Sequence, residues 1–237
     1  MKLVVVSAGL SSPSSTRLLA DRLTAATLTD PALAHRHAEP EVIELRDLAT
    51  EIARHFVTGF PSARLAAALD AVASADGLIV VTPVFAGSYS GLFKSFFDVI
   101  DKDALTGTPV LLGATGGTAR HSLVTEHALR PLFTHLRALV VPTAVYAASE
   151  DWGEEGLGRR IARAGGELAR SMAPAHPAAA TPDVETTAAT AAPRSPTGAI
   201  TSLPASAAAT LVPFEQRLAA LRVDEEVSSR TGPDRTP

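Results

Sequence analysis

Cysteine is absent from the 237 residues. That excludes disulfides, thiolate-held metals, iron–sulfur clusters and a thiol nucleophile. Charge is sparse, at 19% of residues with a formal net of −4, so the basic surface of a nucleic-acid or membrane-surface binder is missing. No uninterrupted apolar stretch is long enough to span a bilayer. Val4–Val6 is too short for the h-region of a signal peptide. These absences lead us to expect a cytoplasmic protein that binds neither membrane nor nucleic acid. Two phosphate-binding signatures are also missing, the Walker loop GxxxxGK(S/T) and the dinucleotide fingerprint GxGxxG. The seven histidines show no HxxxH or His–carboxylate spacing that reads as a metal site, and His35 and His37 sit in a polar loop. No catalytic dyad or triad stands out, so no metal and no catalytic side chain is expected.

What is present is alternation. Leu3–Val6, Leu78–Thr82 and Val110–Leu112 are continuous β-branched or apolar runs of the kind that form buried parallel strands. Glu41–Leu45 and Leu139–Tyr146 are weaker candidates. Between them fall helical patterns over Thr16–Leu28, Ser62–Ala75, Leu92–Ile100, His121–Arg137 and Glu154–Met172. Pro131 is expected to kink or split the fourth of these. Alternating strands and helices predict a doubly wound α/β fold: a five-stranded parallel sheet of order 2-1-3-4-5 with helices on both faces. The pattern stops near Met172. Of the 38 residues in 173–210, 30 are Ala, Pro, Ser or Thr. Such a stretch cannot bury enough apolar surface to offset its ordering entropy. The expected organisation is a folded domain over 1–172, a disordered linker over 173–210, a short amphipathic docking helix over 211–222 and a disordered tail over 223–237.

In open α/β sheets, ligands bind beyond the carboxyl ends of the strands, where the strand order reverses. Three unusual loops fall there. The first, SAGLSSPSST at 7–16, holds five serines and a threonine just before a helix. Helix amides and neutral hydroxyls suit a terminal monophosphate, whereas a triphosphate wants a lysine and Mg²⁺. The same loop also reads as a Ser-rich turn with Ser14 as the helix N-cap. The second, at 82–101, begins TPVFAGSYSG: Pro83 sets the chain's exit from the strand, Gly87 and Gly91 permit close backbone approach, and Phe85 and Tyr89 are candidates to touch a ring. Phe93, Phe96 and Phe97 read as core. The third, GATGGTARHS at 113–122, carries no bulky residue before Arg120. Gly116 and Gly117 either approach something planar or form a hinge, and Arg120 either meets an anionic group or is simply solvated. Trp152 either walls the site or caps the fold.

At these loops the chain resembles the NADPH-dependent FMN reductase family, whose fold is flavodoxin-like. The carrying residues are S-A-G-L-S-S-P-S-S-T at 7–16, T-P-V-F-A-G-S-Y-S-G-L-F-K at 82–94 and G-A-T-G-G-T-A-R-H-S-L at 113–123. With D-W-G at 151–153 and V-P-F-E-Q at 212–216, they look closest to an actinobacterial branch that works beside luciferase-like flavin monooxygenases. The resemblance implies that Leu10, Ser12, Ser14, Ser15 and Thr16 hold the FMN phosphate. It places Pro83, Val84, Phe85, Ala86, Gly87, Ser88 and Tyr89 along the isoalloxazine, mostly through backbone, and Thr115, Gly116 and Gly117 at the far side of the ring. Many relatives carry an arginine in the first loop. Here Ser11 and Ser12 stand in that region and the nearby arginine is Arg17, which leaves hydroxyls and amides as the main phosphate ligands. The implied activity is that of an NAD(P)H:FMN oxidoreductase. Its cofactors are FMN and NADPH or NADH, and hydride passes from nicotinamide C4 to flavin N5. The reduced flavin is handed to a monooxygenase partner, or electrons pass to a quinone or other acceptor. The competing readings are a flavodoxin-like electron carrier, disfavoured by the modest charge and few aromatics, and a flavin-free homologue. A homo-oligomer, dimer or tetramer, is also implied, with helices 92–100 and 121–137 as candidate interfaces.

Overall fold

The computed structural model describes residues 1–36 and 39–173. The expected linker beyond Ala173, the docking helix 211–222, the tail 223–237 and His37 lie outside the described residues. In chain order the elements are β1 (Lys2–Ser7), α1 (Ser15–Leu28), β2 (Glu39–Glu44), α2 (Ala49–Thr58), α3 (Ala63–Ala73), β3 (Gly77–Phe85), β4 (Ser88–Tyr89), α4 (Gly91–Asp98), β5 (Pro109–Gly116), α5 (Arg130–His135), β6 (Leu139–Val140), β7 (Val145–Ala148) and α6 (Glu155–Met172). Among the described residues no helix is long and apolar enough to cross a membrane.

The α/β architecture with a parallel, flavodoxin-type sheet is as the alternation predicts. β2, β1, β3 and β5 lie side by side and run parallel. Two helices, α1 and α6, cover one face, where Leu19, Leu23, Leu157, Ile161 and Leu168 meet Leu3, Val5, Ile79, Val81 and Leu111. The other face meets α2 through α5: Ile52, Leu65, Val72, Phe93, Phe96 and Phe133 pack on Val4, Val6, Leu78, Val80 and Leu112. Alternate residues of each central strand thus feed opposite cores, which is why these strands read as unbroken apolar runs. Phe93, Phe96 and Phe97 are all buried in the chain's own core, so the Phe-rich face of α4 is not available to a partner.

The expectation of a plain five-stranded sheet needs correction, because the described residues form seven strands. The position beyond β5 is shared by β6 and β7, both parallel to β5. Val140 pairs with Val110 and Val145 with Gly113, so residues 141–144 lie opposite only Leu111 and Leu112. Pro142 has no amide to donate and stops the ladder there. Side chains satisfy the exposed backbone of the break. Arg130 donates to the carbonyls of Val141 (3.2 Å) and Pro142 (3.0 Å), while the Glu167 carboxylate accepts from the Thr143 amide (2.7 Å) and hydroxyl (2.8 Å). The seventh strand, β4, is a two-residue antiparallel return from β3.

Two helical differences follow from local chemistry. The helix expected over His121–Arg137 contains a wide π turn at Thr125–Leu129, with the Arg130 amide donating to Thr125 O, before α5 resumes. Pro131 has no amide and its ring displaces the carbonyl four residues back; the wide turn accommodates both. Unanticipated is α2, introduced by a 3-10 turn at Leu45–Leu48. Of the α2 residues only Ile52 is fully buried, while Phe56 and Val57 stand exposed.

Candidate active site

Three segments converge at the carboxyl ends of β1, β3 and β5. After β1 the chain passes through residues 8–14, where the Ser12–Pro13 peptide is cis, and enters α1. Ser14 is the N-cap: its hydroxyl accepts from the Arg17 amide at 3.2 Å. Gly9 makes room for this, since a Cβ there would sit 2.1 Å from Ser14 Oγ. Helix geometry leaves the Ser15 and Thr16 amides without intrahelical partners, at the positive end of the helix dipole. Thr16 is buried and its hydroxyl shares a 2.8 Å hydrogen bond with that of Thr115 from β5. That bond ties the first segment to the third.

The second segment is a hairpin, not a loop beginning at Thr82. β3 continues through Pro83 and Val84 to Phe85, turns at Ala86 and Gly87, and returns as β4. Both turn residues have positive φ, 49° at Ala86 and 77° at Gly87, the signature of a tight two-residue hairpin turn. Thr82 Oγ1 then accepts from the Ser90 amide at 3.0 Å, and the Ser90 hydroxyl caps α4 through the Phe93 amide. The third segment begins inside β5, which runs to Gly116. A Cβ on Gly116 would meet Tyr146 Oη at 2.1 Å. Tyr146 donates that hydroxyl to Thr118 O at 2.7 Å. Burial, with Glu150 and Asp151 nearby, pushes its phenol pKa up, so it stays a neutral donor.

Together these segments line a cleft of about 390 Å³ formed by Leu10, Ser11, Ser15, Thr16, Pro83, Val84, Phe85, Thr115, Gly116, Gly117 and Ser149. Leu10 and Phe85 stand half exposed at its lip. Of the residues expected from the sequence, Ser12, Ser14, Ala86, Gly87, Ser88 and Tyr89 do not line this cleft. Ser14 is turned into its cap, and Tyr89 lies against Phe93 with ring centroids 6.0 Å apart. Gly87 instead borders a neighbouring depression with Arg120, His121 and His127. Ser11 and Ser149 belong to the cleft but were not anticipated. Ser149 directly follows β7 on the same sheet edge, which was the available signal. Trp152 packs with the α1/α6 core beneath Arg22, whose guanidinium carbon is 5.2 Å from the ring centroid, so it caps the fold.

The electrostatics near the first segment are uneven. Arg17 points away into two 2.7 Å ion pairs with Asp21 and Glu44. The hydrogen bonds it donates to Glu44 and then to Asp21 raise its pKa further. One end of the cleft thus offers hydroxyls and helix amides, and the other apolar walls with an open patch at Gly117, where an added Cβ would meet nothing within 4 Å. That donor set fits a ligand with a phosphate head and a flat aromatic body, at the switch point where flavodoxin-type folds hold FMN.

Known proteins resemble this chain in sequence and fold. Residues 1–153 match the family model described as NADPH-dependent FMN reductase. An FMN reductase (NADPH) of Pseudomonas aeruginosa is 45% identical over 151 residues, 64% of this chain and 78% of that protein. The NADH-dependent FMN reductase SfnF of Pseudomonas fluorescens is 42% identical over 154 residues, covering 65% and 80%. Among solved structures, an oxidoreductase from Corynebacterium diphtheriae superposes with TM-score 0.70 at 46% identity, covering 72% of this chain and 96% of that one. The apo form of the NADH:FMN oxidoreductase EmoB gives TM-score 0.64 at 29% identity, covering 74% and 91%. The fold and cleft define a flavodoxin-type nucleotide-binding protein. More narrowly, the chain belongs to the NADPH-dependent FMN reductase family.

Proposed function

We propose that this protein is an NAD(P)H-dependent FMN reductase. The carrying observation is the cleft itself, hydroxyls and free amides at one end and apolar walls at the other, in a chain of this family. When bound, FMN supplies the hydride-accepting ring and the nicotinamide the hydride. The protein's part is binding and access. Ser15, Thr16 and the first amides of α1 hold the phosphate. Pro83, Val84 and Phe85 flank the ring on one side, and Thr115, Gly116 and Gly117 on the other. The hairpin turn at Ala86–Gly87 and the following Ser88 and Tyr89 hold that wall in place, and Ser12 and Ser14 shape the phosphate loop. The half-exposed lip supports a flavin that exchanges with solvent and leaves reduced, to serve a monooxygenase of the luciferase-like type, as in the actinobacterial branch. The same reading carries a cytoplasmic location and a homo-oligomer, checked by fractionation and by sedimentation.

The test is NAD(P)H oxidation by the purified protein with and without FMN, using both nucleotides. FMN-stimulated oxidation supports the reading; no stimulation and no flavin binding would end it. Relatives named for NADPH and for NADH stand side by side at similar identity, so both must be assayed. Sequential kinetics would mark flavin as a substrate and ping-pong kinetics a held cofactor.

A further inference from the structure

A flavin phosphate near neutral pH carries well over one negative charge, yet residues 8–16 hold no cation. Arg17, the next residue, is held by two carboxylates at 2.7 Å. To reach a phosphate it would have to give up two charge-assisted hydrogen bonds, among the strongest a protein makes. Among the described residues, one other cationic side chain hydrogen-bonds this segment. Arg46, in the 3-10 turn after β2, donates from Nη1 to the Ser11 carbonyl at 3.1 Å. Among the described residues its one ion-pair partner is Asp47, a looser contact at 3.6 Å. Guanidinium has five N–H donors in a planar fork, so the bond to Ser11 leaves most of them unused. Ser11 itself lines the cleft, and the sheet order places β2 directly beside β1, so the Arg46 turn and the Ser-rich segment share one edge.

We infer that Arg46 is the cationic partner of the FMN phosphate, reaching the site from the turn that follows the neighbouring strand while bracing the Ser11 carbonyl. This rests on the FMN reductase reading and deepens it. Arg46 binds the phosphate and takes no part in hydride transfer. It therefore discriminates between flavins that differ only in the phosphate.

The experiment measures kcat/KM for FMN and for riboflavin in the full-length protein and in its Arg46→Met and Arg46→Lys variants, with Tm as a control for folding. Arg46→Met should lower kcat/KM for FMN about tenfold to a hundredfold, the range of a lost charge-assisted hydrogen bond, and leave riboflavin unchanged. The loss should appear in KM. Arg46→Lys, which keeps the charge but not the fork, should fall between. Inorganic phosphate should compete with FMN in the parent protein and much less in Arg46→Met. Equal loss with both flavins would make Arg46 a brace for the loop alone and overturn the inference, as would no loss with either. A parent protein inactive with both flavins would refute the FMN reductase reading itself, and this inference with it.

Discussion

Ala86 is a residue in a conformation that its side chain resists. Its φ of 49° lies in the left-handed region, disfavoured for any residue with a Cβ unless a short polar side chain can bond locally. With Gly87 it forms a two-residue hairpin turn, where Asn–Gly is the favoured pair. Ala86→Asn should therefore stabilise the protein by about 0.5–1 kcal/mol, read as a raised Tm. Gly116 is the opposite case, a position where only hydrogen fits. Because Tyr146 is 7% exposed and bonded to Thr118, its hydroxyl cannot swing aside freely. Gly116→Ala should cost about 1–3 kcal/mol, as overpacked sites do, and weaken FMN binding by shifting the cleft wall. The added variant Tyr146→Phe removes the clashing oxygen. A double-mutant cycle should then show strong non-additivity; additive losses would mean the clash is not the cause.

At the scale of elements, the break between β6 and β7 is the least regular part of the sheet, and side chains from elsewhere hold it. Glu167, on α6, satisfies both the amide and the hydroxyl of Thr143. Glu167→Ala leaves that amide unpaired and should cost about 1.5–3 kcal/mol, typical for a hydrogen bond to a charged group. Urea unfolding reads this as a lower midpoint at constant m. Arg130 holds the other side of the break and pairs with Glu126, whose carboxyl it keeps below the ordinary glutamate range. A carboxylate with a lowered folded-state pKa contributes stability above its unfolded pKa and loses it as the pH falls through the folded value. Glu126→Gln should thus leave the acid limb of the stability profile shallower. The effect is small, because the pair is partly solvated. A sequence shows the cause of the break, Pro142, but not its partners, because Arg130 and Glu167 come from separate helices.

At the scale of the whole molecule, both cores close within the described residues. α6 lies along α1 so closely that a Cβ on Gly165 would come within 2.8 Å of the Ala26 and Thr27 backbone. Met172, at the end of α6, packs against Gly77 at the start of β3. A chain ending at Ala173 should accordingly fold cooperatively and bind FMN with the affinity of the full protein, measured by flavin titration. Weaker binding would assign residues 174–237 a part in the site.

The sequence by itself determined the class of this protein. Continuous apolar runs mark parallel strands, and the alternation of strands with helices dictates a doubly wound sheet. The reversal of strand order then says which loops meet. Those rules depend on local periodicity and topology, and both are written along the chain. The cleft's lining was decided only in three dimensions. The Ser14 hydroxyl is spent on a cap, Tyr89 is drawn down onto Phe93 and Arg17 is captured by Glu44. Arg46 is delivered to Ser11 from 35 residues away. Each outcome depends on where a side chain points and which group competes for it, and spacing along a sequence records neither.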